Sequence, residues 1–482
     1  MTLGSERFPK MRVMTTIAAL MPACVALSAT ESPRSRIEEP TLQVDFSKAK
    51  GPVRPVNGVG QGPILGFDDF SMFHYLKEAG IPYSRLHDVG GPFGKNIFVD
   101  IPNLFRDFDA DENDPASYDF AFTDLLMKAL VENGIEPYFR LGVTIENACG
   151  VKAYRIFPPK DYGKWARICE HVIAHYTEGW ADGFRYKITY WEIWNEPDNN
   201  IDNQCVKPFR NLNWWGTFDE YIDFYEVAAK HLKGRFPNIK IGGYGHCGFY
   251  AITRPKELWG QWGSDVGHYL KCFDKFLVRA KEREFPLDFF SMHIYSDVPT
   301  AAIHVDYARK RLDEAGFGKV ELHVNEWLPH NSMKNLGTDF QAAEIAAMLA
   351  MFQENGIAVG CIYDAKCGAD PYSPLFNAMT HEPFLAYYDF MAFKELRDLG
   401  TSVACKADDG LYATAATDGK GCGAVLVANP DPDKARKLVC DFGGWEAVSW
   451  RMIGKGKRLE SVDALTAIPP STTLLVTTKR RN

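Results

Sequence analysis

Between residues 56 and 400 the chain alternates short β-rich runs with longer runs whose apolar residues recur at helical spacing. The eight predicted strands begin near residues 56, 83, 136, 187, 239, 287, 320 and 357. Helical spacing is clearest at residues 118–131, 218–232, 267–280, 340–352 and 384–396. Eight such units predict an α/β fold, a (β/α)8 TIM barrel. A doubly wound open sheet is the alternative, because periodicity alone does not show that a sheet closes.

A weak internal repeat marks the joints of this array. Ala-Gly-Ile, Asn-Gly-Ile, Ala-Gly-Phe and Asn-Gly-Ile occur at residues 79–81, 133–135, 315–317 and 355–357, where a helix should end and a strand begin. Glycine can adopt the left-handed conformation that ends a helix. These joints are short, whereas the strand-to-helix connections are long. Since the strand-to-helix loops carry the chemistry in such barrels, we expect the site at that end.

The two ends of the chain differ from the barrel. Residues 1–30 place basic residues before a short, nearly uncharged run, a pattern typical of a secretory signal peptide, and predict an exported protein without stable membrane insertion. Residues 401–482 contain short alternating runs separated by turn residues, which predict a smaller all-β, sandwich-like C-terminal domain. Residues 41–55 have the same character and predict a strand that joins this β domain, leaving residues 56–400 as the barrel.

The composition excludes several classes of partner. Hydrophobic residues make up 46% and charged residues 24% of the chain, which is the balance of a globular protein. The net charge is −8 and the basic residues form no long tract, so no nucleic acid or anionic lipid surface is expected as a partner. We therefore expect a neutral or polar ligand.

Motifs for cofactors and metals are weak. The segment 243–248, Gly-Tyr-Gly-His-Cys-Gly, matches a dinucleotide fingerprint, but no helix pattern opens directly on it. His171 and His175 lack the glutamate of a zinc protease motif, and Cys361 and Cys367 lack a second cysteine pair. We therefore predict no cofactor and no metal.

Two glutamates are predicted at the mouth of the barrel. The fourth strand runs into Asn195, Glu196 and a proline that cannot continue the ladder, which should hold Glu196 at the rim. The seventh strand ends in Glu326. Because the two strands are three apart around the ring, both carboxyl groups can reach one sugar. Two acids can divide the cleavage of a glycosidic bond, although each glutamate could also be an ordinary solvated loop residue.

Four segments carry a resemblance to a known family. They read Arg-Leu-His at residues 85–87, Trp-Glu-Ile-Trp-Asn-Glu-Pro at 191–197, Asp-Phe-Phe-Ser-Met-His-Ile-Tyr at 288–295 and His-Val-Asn-Glu-Trp at 323–327. The chain resembles the clan of (β/α)8 retaining glycoside hydrolases and, within it, glycoside hydrolase family 39, the family of β-xylosidases and α-L-iduronidases. The resemblance spans residues 56–400, and a barrel followed by a β-sandwich also fits that family.

The resemblance implies roles for individual residues. Glu196 would protonate the leaving oxygen as the acid/base, and Glu326 would attack the anomeric carbon as the nucleophile. The residues that would hold the sugar or orient the nucleophile are His87, Asn195, His293 and Tyr295.

Two positions depart from the pattern of the family. The eighth strand, at residues 360–364, lacks the tryptophan that commonly floors the sugar site in this clan, so Tyr363 or Trp327 is expected to take that part. The third strand carries Arg140 where many members carry an acid. These departures affect the identity of the sugar and leave the chemistry of the two glutamates unchanged.

Taken together, the sequence predicts an exported retaining exo-glycosidase that acts on an oligosaccharide or glycoside, with a β-xylosidase as the first choice. Arabinosides, galactosides, glucosides and uronides stay open as substrates, because loop side chains decide that choice. A non-catalytic carbohydrate-binding protein is the rival from another class, and a nicotinamide-dependent oxidoreductase is the third candidate.

Overall fold

The computed structural model describes residues 39–61, 72–88, 99–144, 156–199, 213–259, 266–330, 332–408 and 410–481. The predicted signal peptide at residues 1–30 lies outside these ranges, as do parts of the connections after the first five barrel strands. Within the described ranges, no helix combines the length and the apolar character that crossing a membrane requires.

Eight parallel strands close into a barrel, which confirms the predicted fold. β1 (Leu42–Pro52) precedes the barrel, whose strands are β2 (Gly58–Gly60), β3 (Tyr83–Leu86), β4 (Glu136–Leu141), β5 (Tyr190–Ile193), β6 (Lys240–His246), β7 (Phe289–Ile294), β8 (Glu321–Trp327) and β9 (Val359–Ile362). The last strand pairs with the first, since Gly58 lies beside Cys361 and Val59 beside Ile362. This pairing excludes the open-sheet alternative.

Helices follow every barrel strand. They are α1 (Phe73–Glu78), α2 (Ile101–Leu104), α3 (Ala121–Glu132), α4 (Tyr162–Thr177), α5 (Phe218–Arg235), α6 (Val266–Arg283), α7 (Val298–Glu314), α8 (Asp339–Glu354) and α9 (Leu385–Leu399). Thr217 and Glu220 form a capping box at the start of α5, and the Asp161 side chain accepts a backbone N–H at the start of α4. These caps satisfy donors that the first helical turn leaves without partners.

Glycines occupy the helix-to-strand joints that the internal repeat predicts. Gly80, Gly134, Gly316 and Gly356 have φ angles of 59°, 76°, 91° and 82°, in the left-handed region. A side chain beyond hydrogen is strained there, so glycine ends each helix at low cost. The next strand can therefore begin within a few residues.

A second, mostly antiparallel sheet of eight strands forms the β domain. β1 is joined there by β10 (Thr401–Ala407), β11 (Tyr412–Thr417), β12 (Cys422–Asn429), β14 (Cys440–Asp441), β15 (Trp445–Gly454), β16 (Lys457–Val462) and β18 (Thr472–Arg480). β13 (Arg436–Lys437) and β17 (Ala467–Ile468) form a separate two-stranded sheet. β1 pairs antiparallel with β10, from Leu42 beside Ala407 to Pro52 beside Thr401, so the chain enters the barrel from this sheet.

Helix α8 lies between the barrel and the sheet. It packs against β11, β12 and β18, and every residue from 341 to 353 is buried. A helix with a neighbour on both sides needs no polar face, which explains its sequence of alanine, methionine, leucine and phenylalanine.

Candidate active site

The interior of the barrel has two layers, because side chains along a strand alternate between its faces and every second residue points inward. The aromatic layer consists of Tyr83, Tyr138, Tyr190, Phe289 and His323, which pack on one another through their rings. Two residues further along the same five strands lies the polar layer, which consists of Arg85, Arg140, Glu192, Ser291 and Asn325. The buried arginine and glutamate side chains of these five strands therefore lie in the polar layer or beyond it.

Arg85 on β3 is the centre of a buried network. Its Nε donates to Oε2 of Glu192 at 2.8 Å, its Nη1 to Oε2 of Glu326 at 3.0 Å and its Nη2 to Oδ1 of Asn195 at 2.6 Å. Burial alone would lower the pKa of Arg85, but the two carboxylates outweigh it and hold that pKa above its ordinary value. A permanent positive charge thus joins β3, β5 and β8.

Glu192 on β5 has its donors already in place. Its Oε2 accepts from Arg85. Its Oε1 accepts hydrogen bonds from the Ser291 hydroxyl and from Nδ2 of Asn325, both at 2.6 Å. The residue is fully buried. A carboxylate with three donors and no exposure orients its neighbours and is closed off from a substrate.

Glu326 stands at the end of β8 and remains 7% exposed. Its Oε1 accepts from the Tyr295 hydroxyl at 2.6 Å, and its Oε2 accepts from Arg85. The preceding Asn325 also points inward, toward Glu192. Two consecutive inward side chains are possible because the pairing of β8 shifts register against both neighbouring strands at this point. Such irregularities re-aim side chains next to active sites.

Glu196 lies in a sharp turn after β5. The strand ends at Ile193, and both Trp194 and Glu196 have positive φ angles, of 75° and 45°. The backbone N–H of Glu196 donates to the carbonyl oxygens of Tyr244 and Gly245 on β6, each at 3.1 Å. Backbone strain of this kind persists only where neighbouring structure holds it, and it is concentrated at functional sites.

Gly245 makes room for this turn. A Cβ at this position would lie 3.1 Å from Nε2 of His293, 3.2 Å from Oδ1 of Asn195 and 3.3 Å from Nη2 of Arg85. Its φ angle of 65° is also in the left-handed region. The glycine-rich segment of β6 therefore serves close packing beneath the glutamates.

The two glutamates meet at His293 on β7. Nδ1 of His293 lies 2.7 Å from Oε1 of Glu196 and 3.6 Å from Oε1 of Glu326. One atom of each of the three side chains lies within 4.8 Å of the other two. Asn199 and Asn213 each donate to Oε2 of Glu196 at 3.2 Å. The predicted convergence of two rim carboxyl groups is thus present in the structure.

The charges of Glu196 and His293 support each other. Burial raises the pKa of Glu196, but the hydrogen bond and the charge of His293 outweigh it, so this pKa lies below its ordinary value. Burial lowers the pKa of His293, but the charge of Glu326 and the hydrogen bond to Glu196 outweigh it, so this pKa is raised. Both shifts favour an ion pair between the two side chains, with the proton on His293.

Another buried acid lies two residues beyond Glu196. Oδ2 of Asp198 accepts the Cys247 backbone N–H at 3.3 Å and lies 3.5 Å from Nε2 of His246. Burial, reinforced by the charge of Glu196, raises the pKa of Asp198 to about 8. Burial lowers the pKa of His246 to about 3, so both side chains are uncharged near neutral pH.

Glu196, His293 and Glu326 could also offer one ligand atom each to a metal ion. They are the one such group among the described residues. However, Nη1 of Arg85 lies 3.0 Å from Glu326 and sets a fixed positive charge beside any cation bound there. The arrangement therefore favours a proton over a metal ion between the two carboxylates.

Comparison with known proteins identifies the family of this chain. The sequence model of glycosyl hydrolases family 39 matches residues 75–334, more than half of the chain, and includes both glutamates. The chain belongs to glycosyl hydrolases family 39. The family 39 resemblance in the sequence is thereby confirmed.

Two curated relatives of this family 39 chain are beta-xylosidases. The one from Geobacillus stearothermophilus is 27% identical over 213 residues, which are 42% of this chain and 36% of the relative. The one from Caldicellulosiruptor saccharolyticus is 27% identical over 172 residues, which are 34% of this chain and 31% of the relative. The matches thus span about a third of the length of these relatives.

Solved structures agree on the fold. A glucosidase from Croceicoccus marinus has a TM-score of 0.67 at 20% identity and covers 92% of this chain and 99% of its own. A monomeric beta-xylosidase from Caulobacter crescentus has a TM-score of 0.59 at 16% identity, with coverage of 92% and 99%. At these identities the likeness concerns the architecture alone.

Most of the predicted sugar-binding residues of the family 39 chain lie around the two glutamates. Tyr363 donates its hydroxyl to Oδ2 of Asp88 at 2.7 Å, and Nε2 of His87 lies 3.4 Å from the same oxygen. The Tyr363 ring stands edge-on to Tyr295 and Tyr372, with centroids 6.3 and 5.6 Å apart. Together with Asn195 and His293, the predicted residues brought together here are His87, Tyr295 and Tyr363.

Trp327 is not placed with them. Its side chain is fully buried, and its ring packs edge-to-face on Phe352 of α8 at a centroid distance of 5.2 Å. Because Glu326 points into the barrel, the next residue on the strand points outward to the helices. The expected contact of Trp327 with the sugar is therefore corrected: this ring belongs to the core.

Several residues of the site escape reasoning from the sequence. The resembling segments contain four of them without assigning them a role, namely Arg85, Glu192, Ser291 and Asn325, and the fifth, Tyr372, lies outside those segments. One signal was available for those on strands: a polar side chain two residues after an aromatic one, within an otherwise apolar strand. Such a residue belongs to the polar layer once the barrel is known to close.

Proposed function

We propose that this family 39 protein is a retaining exo-glycosidase, a β-xylosidase, in which Glu326 is the nucleophile and Glu196 is the acid/base. The observation that carries the proposal is the separation of the two carboxyl groups, whose nearest ligand atoms lie within 4.8 Å. Retaining glycosidases hold this pair about 5–5.5 Å apart, whereas inverting enzymes need about 6.5–9.5 Å to admit a water. The short separation supports attack by a carboxylate.

The surroundings of Glu326 support its role as the nucleophile. Arg85 and Tyr295 donate to its two oxygens and stabilise the negative charge. These two hydrogen bonds hold Glu326 in one orientation, while the slight exposure of its side chain leaves an approach for the sugar. Glu192 binds the same arginine but is sealed in the core, so it is the weaker candidate.

The contact between Glu196 and His293 supports a cycling acid/base. In the first step Glu326 bonds to the anomeric carbon, the bond from that carbon to the leaving oxygen breaks, and Glu196 delivers a proton to that oxygen. His293 holds a proton 2.7 Å away that Glu196 can draw on. Once Glu326 is an ester, the proton affinity of the pair falls because a neighbouring negative charge is lost. Glu196 is then the base that accepts a proton from the attacking water.

The substrate assignment is based on the relatives. Two curated relatives carry the name beta-xylosidase, and the residues proposed to hold the sugar are His87, Asn195, His293, Tyr295 and Tyr363. These side chains offer hydroxyl, amide and imidazole groups, which suit a neutral sugar. A panel of aryl xylosides, arabinosides, galactosides, glucosides and uronides tests this choice.

The stereochemistry of the first-formed product tests the mechanism. NMR of a fresh digest of 4-nitrophenyl β-D-xyloside should show β-xylose before mutarotation. If α-xylose appears first, the double displacement is wrong.

The role of Glu196 is tested with two leaving groups. Glu196→Ala should lower kcat/KM for substrates with poor leaving groups by about 10²–10⁴-fold and spare kcat/KM for activated aryl glycosides, because only the former need the proton in the first step. Asp198→Asn is the matched control, since it alters a nearby buried carboxyl that does not contact Glu326. Equal losses on both substrate types in Glu196→Ala would contradict the acid assignment.

A further inference from the structure

Arg140 on β4 is a buried charge that the mechanism above does not use. It pairs in register with Glu192, whose side chain points into the barrel, so Arg140 points inward as well. It is fully buried, and its Nη2 donates to Oδ1 of Asp100 at 2.6 Å. Its Nε and Nη1 have no hydrogen-bond partner among the residues that the structure describes.

Two donors without partners on a buried guanidinium group are unusual. More than about nine in ten buried polar groups find a partner, because leaving one unsatisfied costs free energy. Asp100 is already engaged elsewhere, since its Oδ2 accepts the N–H and the hydroxyl of Thr144 at 2.9 and 3.1 Å. A ligand that enters the barrel mouth can supply the missing acceptors.

The guanidinium group is directed to the mouth. Asp100 precedes α2 in the connection after β3, and Thr144 follows β4, so both lie beyond the carboxyl ends of their strands. Nδ1 of His87 and Nε2 of His293 likewise lack partners in the described part of the chain. The atoms without partners thus belong to side chains on β4 and β7 and to the residue directly after β3.

We infer that Arg140 is a specificity-determining residue, which donates Nε–H and Nη1–H to hydroxyl oxygens of the sugar whose bond is cleaved. This inference rests on the proposed glycosidase function. A guanidinium group only donates hydrogen bonds, so Arg140 can bind the oxygen lone pairs of the sugar hydroxyl groups.

The charges in the mouth indicate a neutral sugar. The groups joined by hydrogen bonds are two guanidinium groups, one imidazole and four carboxylates: Arg85, Arg140, His293, Glu192, Glu196, Glu326 and Asp100. The acids in this set outnumber the bases by four to three. A uronic acid would add another carboxylate to this excess, whereas a hydroxyl group adds none.

A deoxygenation series tests the inference on the full chain. The substrates are 4-nitrophenyl β-D-xyloside and its 2-, 3- and 4-deoxy analogues, and the enzymes are the native protein, Arg140→Met and Arg140→Lys. Thr144→Val is the matched control, because it removes a bond to Asp100 but no donor to the sugar. Removing the hydroxyl that Arg140 contacts should lower kcat/KM about 10- to 100-fold in the native enzyme and in Thr144→Val.

In Arg140→Met the same deoxygenation should lower kcat/KM by less than about threefold, because the donors are already absent. If Arg140→Met fails to fold, Arg140→Lys, which keeps the charge, is compared with the native enzyme in its place. Equal losses in native and variant enzymes for every analogue would overturn the inference and leave Arg140 as a support for Asp100. Faster hydrolysis of 4-nitrophenyl β-D-glucuronide than of the xyloside would also overturn it. A native protein that hydrolyses no glycoside refutes the proposed function itself.

Discussion

The aromatic layer and the polar layer lie in the same barrel, on the same five strands, two residues apart. In the aromatic layer rings pack on rings, as with Phe289 and His323, whose centroids are 4.5 Å apart and nearly parallel. In the polar layer Arg85 is bonded to Glu192 and Glu326. Two residues of strand span only about 7 Å, so the interior changes from a packed core to a charged network over one step.

This fold holds charges inside the barrel where hydrogen bonds pair them. Buried charges are costly unless each is paired, and in the polar layer Glu192 has three donors while Arg85 has three acceptors. The aromatic layer beneath needs no such pairing and supplies the packing. We conclude that the aromatic layer supplies packing and that Arg85 in the polar layer orients Glu326.

The sharpest contrast should come from Glu326→Gln. The amide cannot form the glycosyl ester, so kcat should fall by about 10⁴-fold or more while the fold is retained. The control is Glu321→Gln at the other end of β8, where the carboxylate bonds to Lys240 outside the mouth. Hydrolysis rates and thermal unfolding of the two variants are the measurements. Near-native turnover by Glu326→Gln would contradict the role of Glu326 as the nucleophile.

Glu192→Gln tests whether the polar layer must be fully paired. It leaves Arg85 with one buried carboxylate fewer, so the free energy of unfolding should fall by about 3–5 kcal/mol. Activity should fall too, because Arg85 also holds Glu326. Chemical denaturation measures the first effect. An unchanged free energy of unfolding would mean that the pairing in this layer contributes no stability.

Asp198→Asn tests a buried acid outside both layers. A carboxyl whose folded pKa is about 8 binds its proton more tightly in the folded than in the unfolded chain. Its contribution to stability is therefore fully present below the unfolded pKa of about 3.9 and is lost as pH rises toward 8. The variant should lose less stability than the native protein between about pH 4 and 8, with similar activity at neutral pH. Parallel stability curves would contradict the assignment.

The smallest effect should come from Tyr138→Phe in the aromatic layer. The change removes only the hydroxyl that lies 3.1 Å from Nδ1 of His323, and the ring remains. We expect a loss of about 1 kcal/mol in stability and an unchanged kcat. A tenfold fall in kcat at equal folding would show that the two layers are not separate in function.

Much of the fold was predictable from local patterns. The glycines at residues 80, 134, 316 and 356 mark joints that depend only on neighbouring residues, and eight repeats of one unit made closure the favoured arrangement. The strand at residues 42–52 showed its alternation in the sequence, and its partner β10 lies at the other end of the chain.

The candidate site was predictable only in part. Glu196 and Glu326 could be found because each lies near the carboxyl end of a strand, which is a local signal. Arg85 and Glu326 are 241 residues apart, and no local pattern shows that they will bond. Trp327 was misplaced because a shift in register, which depends on neighbouring strands, decides the direction of its side chain.

Trapping with a fluorosugar tests the central claim most directly. An activated 2-deoxy-2-fluoro-β-xyloside slows breakdown of the glycosyl–enzyme, so the native protein should gain the mass of one fluorosugar. Peptide mapping should find it on Glu326, and Glu326→Gln should gain nothing. A label on another residue, or an active enzyme that acquires none, would contradict the account.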